Sequence, residues 1–474
     1  LEKICFSANT SYTVRITTSI KDNTGTPLGS ERTFSFQTTS VTGSFITPVR
    51  LENVLGYNCS NPLIGFDSAG DAHVVFLVNG SIHTLRYLSG EWSEPVSLSE
   101  SPAEVPVLAV GSDGSAVLCW IMTDGDANRV WASEFDGTQL NAEWTSPHYG
   151  DEKLGPGLNS SSLTLVYDAE NNAFQTAWHQ WDGTRHNIWT SRYESGTWST
   201  PANLSQSSTY TSNIFPILSA NEKGQILAAW QQVEDVDQYI EYGYGANYYP
   251  RKAVHAFCTD GVWNSAQIIS GIAGAYYSWP FSYVDPIPVP VISANGKAMI
   301  IHGANGSNDL RTSYFNGATW GTDTLIENLA YPVVSNGIVT SVSDTFYHAL
   351  WIGHDYDASN YRLFFNRYNG TSWLTDPLVV DNRDQSCENV NVFDFVSFSD
   401  GKASAAWTQY HDGKYNLYAG FYNGTSWGSP IPIEDWNGQI GYLDIAQDNA
   451  GAVHIVWTQH DGDSDSLFWT VYNP

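Results

Sequence analysis

Basic residues are scarce in this chain: 20 Lys and Arg stand against 49 Asp and Glu among 474 residues, a formal net charge of −29. A surface so poor in cations repels a phosphate backbone, which argues against nucleic acid as a partner. Long apolar runs are missing as well, so no segment has the roughly 18 apolar residues a membrane-inserting helix needs. The five cysteines (Cys5, Cys59, Cys119, Cys258 and Cys387) are odd in number, scattered, and form no CxxC. Zinc and c-type haem are therefore unsupported. Cys119 lies in an apolar strand and reads as a buried thiol, while Cys59 and Cys387 occupy similar pre-strand positions and would bridge only if their loops met. The opening LEKICFSANT lacks the form of a signal peptide.

Aromatic residues make up 14% of the chain and Gly numbers 40, the balance of short strands and tight turns. A repeat emerges from self-comparison. "SGEWSEP", "SGTWSTP", "NGTSWLTDP" and "NGTSWGSP" are variants of one segment, and Trp92, Trp144, Trp198, Trp263, Trp320, Trp373 and Trp427 mark seven copies. Upstream of each lies an apolar strand ending in Trp120, Trp178, Trp230, Trp351, Trp407 or Trp457, with Phe76 and His302 in the other two places. Turns such as DSAGD, NEKG and DNAG precede these strands. Each module of about 50 residues thus holds four strands, the size of a β-propeller blade.

The last module, from about 437 to 474, has three strands and no outer one. "GSFITPV" near the start supplies it, with Phe45 in the Trp place and Pro48 three residues later. The expected fold is therefore all-β: an eight-bladed β-propeller over 43–474, closed by residues 43–51 joining 437–474. Seven blades is the alternative, because the longer spacings around blades four and five leave room for an insertion.

Residues 1–40 do not fit the blade. Tyr12, Thr13, Val14 and Ile16, then Asp22, Gly25, Pro27 and Leu28, then Phe34, Phe36 and Thr38 resemble the C-terminal part of a bacterial Ig-like domain. The resemblance implies a partial β-sandwich in front of the propeller and an extracellular or cell-surface setting. The interrupted sandwich leaves open a homo-oligomer or filament in which a neighbour completes it, and the partners expected at the acidic, aromatic-rich face of the propeller are glycans or other protein subunits.

In the usual propeller path, the second-to-third loops share a face with the blade connections. Asp124 and Asp126, Asp355 and Asp357, and Asp461, Asp463 and Asp465 lie in such loops. Alternating oxygen donors suit calcium, and ordinary turn chemistry explains them equally well. No other cofactor is implied. Two aromatic insertions, 242–252 and 275–286, belong to the same face, and Tyr276, Tyr277, Trp279 and Tyr283 are candidate sugar-binding residues. Packing against a neighbouring blade or subunit is the competing role. His73, His348 and His454 recur three residues before the marker aromatic, and Gln180, Gln232, Gln409 and Gln459 two after it. Such recurrence indicates packing and structural hydrogen bonds.

The outer segments resemble degenerate Asp-boxes of sialidase-like propellers. "SYFNGATW" keeps Ser313, Gly317, Thr319 and Trp320, but Phe315 replaces the Asp. The Arg-Ile-Pro start of the sialidase set is absent, and Arg86, Arg129, Arg192, Arg311 and Arg367 recur in or beside third strands, where a structural role is expected. The reading favoured is a non-catalytic display, adhesion or assembly module. The alternative is a carbohydrate-active hydrolase or lyase, which paired carboxylates at glycosidase spacing in a central pocket would mark.

Overall fold

The computed structural model describes residues 11–16, 21, 25–26, 30, 32–37, 43–52, 58–99, 102–137, 143–149, 160–205, 211–234, 240–242, 246–248, 251–269, 287–303, 309–327, 337–355, 360–381, 389–411, 413–434 and 438–473. They form strands and turns with no helix, arranged as eight antiparallel blades. The inner strands are Cys59–Phe66, Ala103–Val110, Ser160–Asp168, Thr211–Ala220, Val289–Ile292, Ile338–Ser341, Val390–Ser397 and Ile440–Gln447. Each packs on the next and the last packs on the first, so the ring closes. The count is eight, not seven.

Marker aromatics form the core because no blade buries both its faces alone. Trp120, Trp178, Trp230, Trp351, Trp407 and Trp457 are fully buried, as is Phe76. Each packs against residues of the preceding blade: Trp178 on Val117, Cys119 and Ile121, Trp407 on Leu350 and Leu363, Trp457 on Ala406 and Leu417. Eight apolar clusters fill the eight seams. The outer Trp of each blade bridges the end of its third strand, as in Tyr87 to Trp92 and Tyr193 to Trp198.

Closure follows the same register. Phe45 pairs with Tyr472 as Trp92 pairs with Tyr87, and Val49 pairs with Trp469 as Val96 pairs with Thr84. Phe45 lies in the blade 7–8 seam, its ring 5.1 Å from Tyr472 and 6.1 Å from Phe421. Ile46 N–H donates to Val471 O at 3.0 Å and Leu51 N–H to Leu467 O at 2.9 Å. In every blade the outer strand is brief and interrupted. Short edges of this kind resist pairing with a second chain.

The recurring polar residues take their expected roles. His73 packs edge-on against Phe135 of blade 2, and His348 against Tyr422 of blade 7. Burial holds their imidazoles down at about 3 and about 4, so both remain neutral. Trp178, Trp407 and Trp457 donate their indole N–H to Gln180, Gln409 and Gln459 at 3.2, 3.4 and 3.1 Å. Trp230 uses Asn213 instead, which Gln232 also meets. Cys59, Cys119 and Cys258 are buried free thiols. Cys59 is therefore in no bridge to Cys387, a residue outside the described set.

Two features go beyond the sequence reading. The 242–252 insertion belongs to the second-to-third connection of blade 4, where Ile240–Tyr242 and Ala246–Tyr248 pair as a separate hairpin, and Arg251 already opens the third strand. The inner strands are also not regular. Six carry a bulge near their upper end, the end reached first by the chain. Ahead of the ring, Ser11–Ile16 pairs antiparallel with Arg32–Gln37 across the segment read as Ig-like.

Candidate functional site

Inner strands of blades 3 to 7 line a cavity of about 740 Å³ at the lower end of the axial channel. Its wall is rich in hydroxyls: Ser219, Ser293, Thr340, Ser341, Ser397 and Ser399. Higher in the channel wall, Asp394 and Asp444 occupy the same place on the inner strands of blades 7 and 8, opposite Ala406 and Val456. Their carboxyl groups hydrogen-bond directly to each other. Burial, then the neighbouring Asp444 charge, holds Asp394 well above the ordinary carboxylate range. Asp444 accepts from the Ile64 N–H of blade 1 at 2.8 Å. Thr164 makes the equivalent link to Leu218 N–H across the blade 3–4 seam at 3.3 Å. The pair thus fastens inner edges together.

A second set of acids went unread in the sequence. Seven or eight residues after the outer aromatic come Ser99, Ser205, Glu327, Asp381 and Glu434. Their side chains turn back onto the start of the third strand. Ser99 accepts from Ile82 N–H at 3.0 Å, Ser205 from Ile188 at 3.2 Å, Glu327 from Leu310 at 3.0 Å and Asp381 from Leu363 at 3.0 Å. Glu434 accepts from Gln459 Nε2 at 2.8 Å, joining the Trp457–Gln459 pair of the next blade. Burial raises Glu327 to about 8 and Asp381 to about 7. The apolar-then-acid-or-Ser signature (Leu98-Ser99, Ile326-Glu327, Val380-Asp381) was visible and would have located them.

Of the acidic loops, those at 124–126 and 461–465 are described, and both are turns. Asp461 Oδ1 accepts the backbone N–H of Asp463 and Ser464, while Oδ2 accepts from Ser466 Oγ and Arg50 Nη1, both at 2.8 Å. These bonds hold its carboxyl at about 2 against the opposing effect of burial. Asp465 meets His460 at 3.2 Å. Asp463 contributes a backbone bond to the turn, so the three carboxylates do not converge. Asp124 accepts from the Tyr149 hydroxyl at 2.7 Å, and Asp126 is exposed at the turn. Among the described residues no three His, Cys, Asp or Glu side chains gather as a metal site. Tyr276, Tyr277, Trp279, Tyr283 and Asp357 lie outside the described residues; Asp355 is described only as the backbone end of a second strand.

Asp461→Ala is expected to cost about 1–2 kcal/mol, since it removes a turn cap and the Arg50 contact at the clasp. Unfolding midpoints should fall equally with and without added calcium. A calcium-induced rise in the parent that the variant lacks would assign the loop to the cation instead.

The arginines are engaged in packing. Arg86 sits 4.3 Å over Phe135 and Arg129 3.8 Å over Tyr149. Arg192 binds Asp168 at 2.8 Å and Glu194 at 2.9 Å, Arg311 approaches Asp309 at 3.6 Å, and Arg367 donates to Gly424 O at 2.9 Å.

On the upper face, the bulges place Asn61, Val105, Ser162 and Phe215 in left-handed backbone, with φ between 49° and 57°. This is uncommon for a β-branched or bulky residue. Phe215 N–H donates to His179 Nδ1 at 3.2 Å, fixing that imidazole's proton on Nε2. The sequence signal for the bulges was Pro62, Pro106 and Pro216 inside strands, where proline is confined to edges and bulges.

A family model of a bacterial Ig-like domain matches residues 5–38. No curated protein matches the chain. Among solved structures, an ulvan lyase of a new polysaccharide lyase family is similar over 89% of this chain and 95% of its own, with 10% identity and a TM-score of 0.50. A leech intramolecular trans-sialidase covers 91% and 94% at 11% identity and a TM-score of 0.39. An α-L-arabinofuranosidase of Fusarium graminearum covers 66% and 94% at 10% identity and a TM-score of 0.38. At these identities the likeness extends no further than fold; by its own sheets and closed ring the chain is an eight-bladed β-propeller, preceded by part of a bacterial Ig-like domain.

Proposed function

We propose that this chain is a non-catalytic extracellular or cell-surface module, whose propeller is a rigid platform for a glycan or protein partner. The observation that carries this reading is the carboxyl pair. Glycosidase carboxylates stand about 5 to 9.5 Å apart so that a sugar or water fits between them. Asp394 and Asp444 instead hydrogen-bond to each other and to strand edges. The arginines that a carboxylate-clamping site would need are held in ion pairs, over rings or on backbone carbonyls. The Ig-like match supports the setting, because such modules are strung along surface proteins. The discriminating experiment offers the protein a panel of neutral and acidic polysaccharides. Binding without release of reducing ends or unsaturated uronate is expected; catalytic turnover of any of them would overturn the reading and favour a carbohydrate-active enzyme.

A further inference from the structure

Two imidazoles and an indole meet on the upper face of the blade 3–4 seam, outside the fastening roles above. His179 and Trp181 end the second strand of blade 3, and His186 opens the third. The His179 ring lies edge-on to His186 at 4.9 Å and to Phe215 at 5.6 Å, and Trp181 lies 5.1 Å from His186. His186 Nδ1 is buried without a hydrogen-bond partner. A buried polar nitrogen left unpaired calls for a reason. Phe215 beside them holds a positive φ, 57°, as Asn61, Val105 and Ser162 do at the equivalent bulges of other blades.

We propose that this seam is a subsite for a neutral glycan, with Trp181 as the stacking surface and His186 Nδ1 and the Nε2–H of His179 hydrogen-bonding sugar hydroxyls. The inference rests on the binding reading above and narrows it to uncharged chains. Burial keeps both imidazoles below their usual range, His179 at about 4. The nearby Arg185 lies 3.6 Å from Asp182, whose carboxylate also caps Thr184 and Arg185 N–H and accepts from Asn187. Arg185 is thereby not free to meet a uronate or sulfate, and the chain's net charge of −29 repels polyanions. An indole face with neutral hydrogen-bonding groups fits a sugar ring and its hydroxyls.

The test titrates the full chain with neutral gluco-, manno-, xylo- and galacto-oligosaccharides beside uronate and sulfated ones, by calorimetry and histidine NMR. A neutral oligosaccharide should bind and shift the His179 and His186 resonances. Trp181→Ala and His186→Gln should each weaken it roughly tenfold or more, the size of one lost contact. His186→Gln, a neutral polar replacement, keeps the test decisive if Trp181→Ala fails to fold. Undiminished neutral-glycan binding in both variants would overturn the subsite while leaving the binding reading intact. Binding confined to acidic chains would overturn the neutral class. Absence of any glycan binding by the parent would remove the subsite, leaving a protein partner as the platform's occupant.

Discussion

Removing residues 1–52 is expected to unfold the ring, whereas removing residues 1–42 leaves it folded. The difference is ten residues, and they carry the outer edge of blade 8. Phe45, Ile46 and Leu51 pack into the seams on either side of that blade. Arg50 ties the strand to Glu52 and Asp461, each at 2.8 Å, and Thr470 Oγ1 donates to Ile46 O at 2.8 Å. Burying three such side chains stabilises by roughly 5 kcal/mol or more, and their loss also opens two seams to water. Phe45→Ala alone should cost about 3 kcal/mol, because the ring meets Tyr472 and Phe421. Urea and thermal unfolding of the two truncations measure the effect. Equal midpoints would mean that closure does not depend on this strand.

The clasp was readable in the sequence because it repeats something. Phe45 and Pro48 keep the spacing of Trp92 and Pro95, so a strand with no module of its own was still recognisable. Marker aromatics, Gly turns and the Trp–Gln pairs were legible for the same reason: each is a packing solution used many times. The single solutions were not. Asp394 and Asp444 meet because the inner strands of blades 7 and 8 pack side by side, and nothing local to FDF or YLDI announces the contact. His179 and His186 are seven residues apart in sequence and meet through a strand pairing in which Trp181 faces His186. The acidic loops are ambiguous in sequence, because the residues that ligate calcium also cap turns. Asp461 has its oxygens filled by amides, a hydroxyl and Arg50, an arrangement sequence spacing alone does not distinguish from a cation site.

Stability is expected to fall as pH rises from about 4.5 to about 8, and Glu327→Gln should remove much of that fall. Glu327 has 4% of its surface exposed, and burial raises its carboxyl to about 8, against about 4.3 in an unfolded chain. The folded state therefore holds a proton that the unfolded state has released. This stabilisation is full below about pH 4 and is lost as pH climbs through the folded value. Asp381, at about 7, acts in the same direction. The buried imidazoles act oppositely: His73, His348 and His179, held at about 3 to 4, lower stability as pH drops below about 6.5. An optimum between these two losses follows. Glutamine keeps an oxygen for Leu310 N–H but has no charge to bury. Relative to the parent, Glu327→Gln should be near neutral at pH 4 and more stable by about 2–4 kcal/mol near pH 9. The repeat already contains this substitution in kind, since Ser99 and Ser205 do the same capping with a hydroxyl. Urea midpoints across that range decide the matter, and parallel pH profiles for parent and variant would show that Glu327 is ionised in the folded ring.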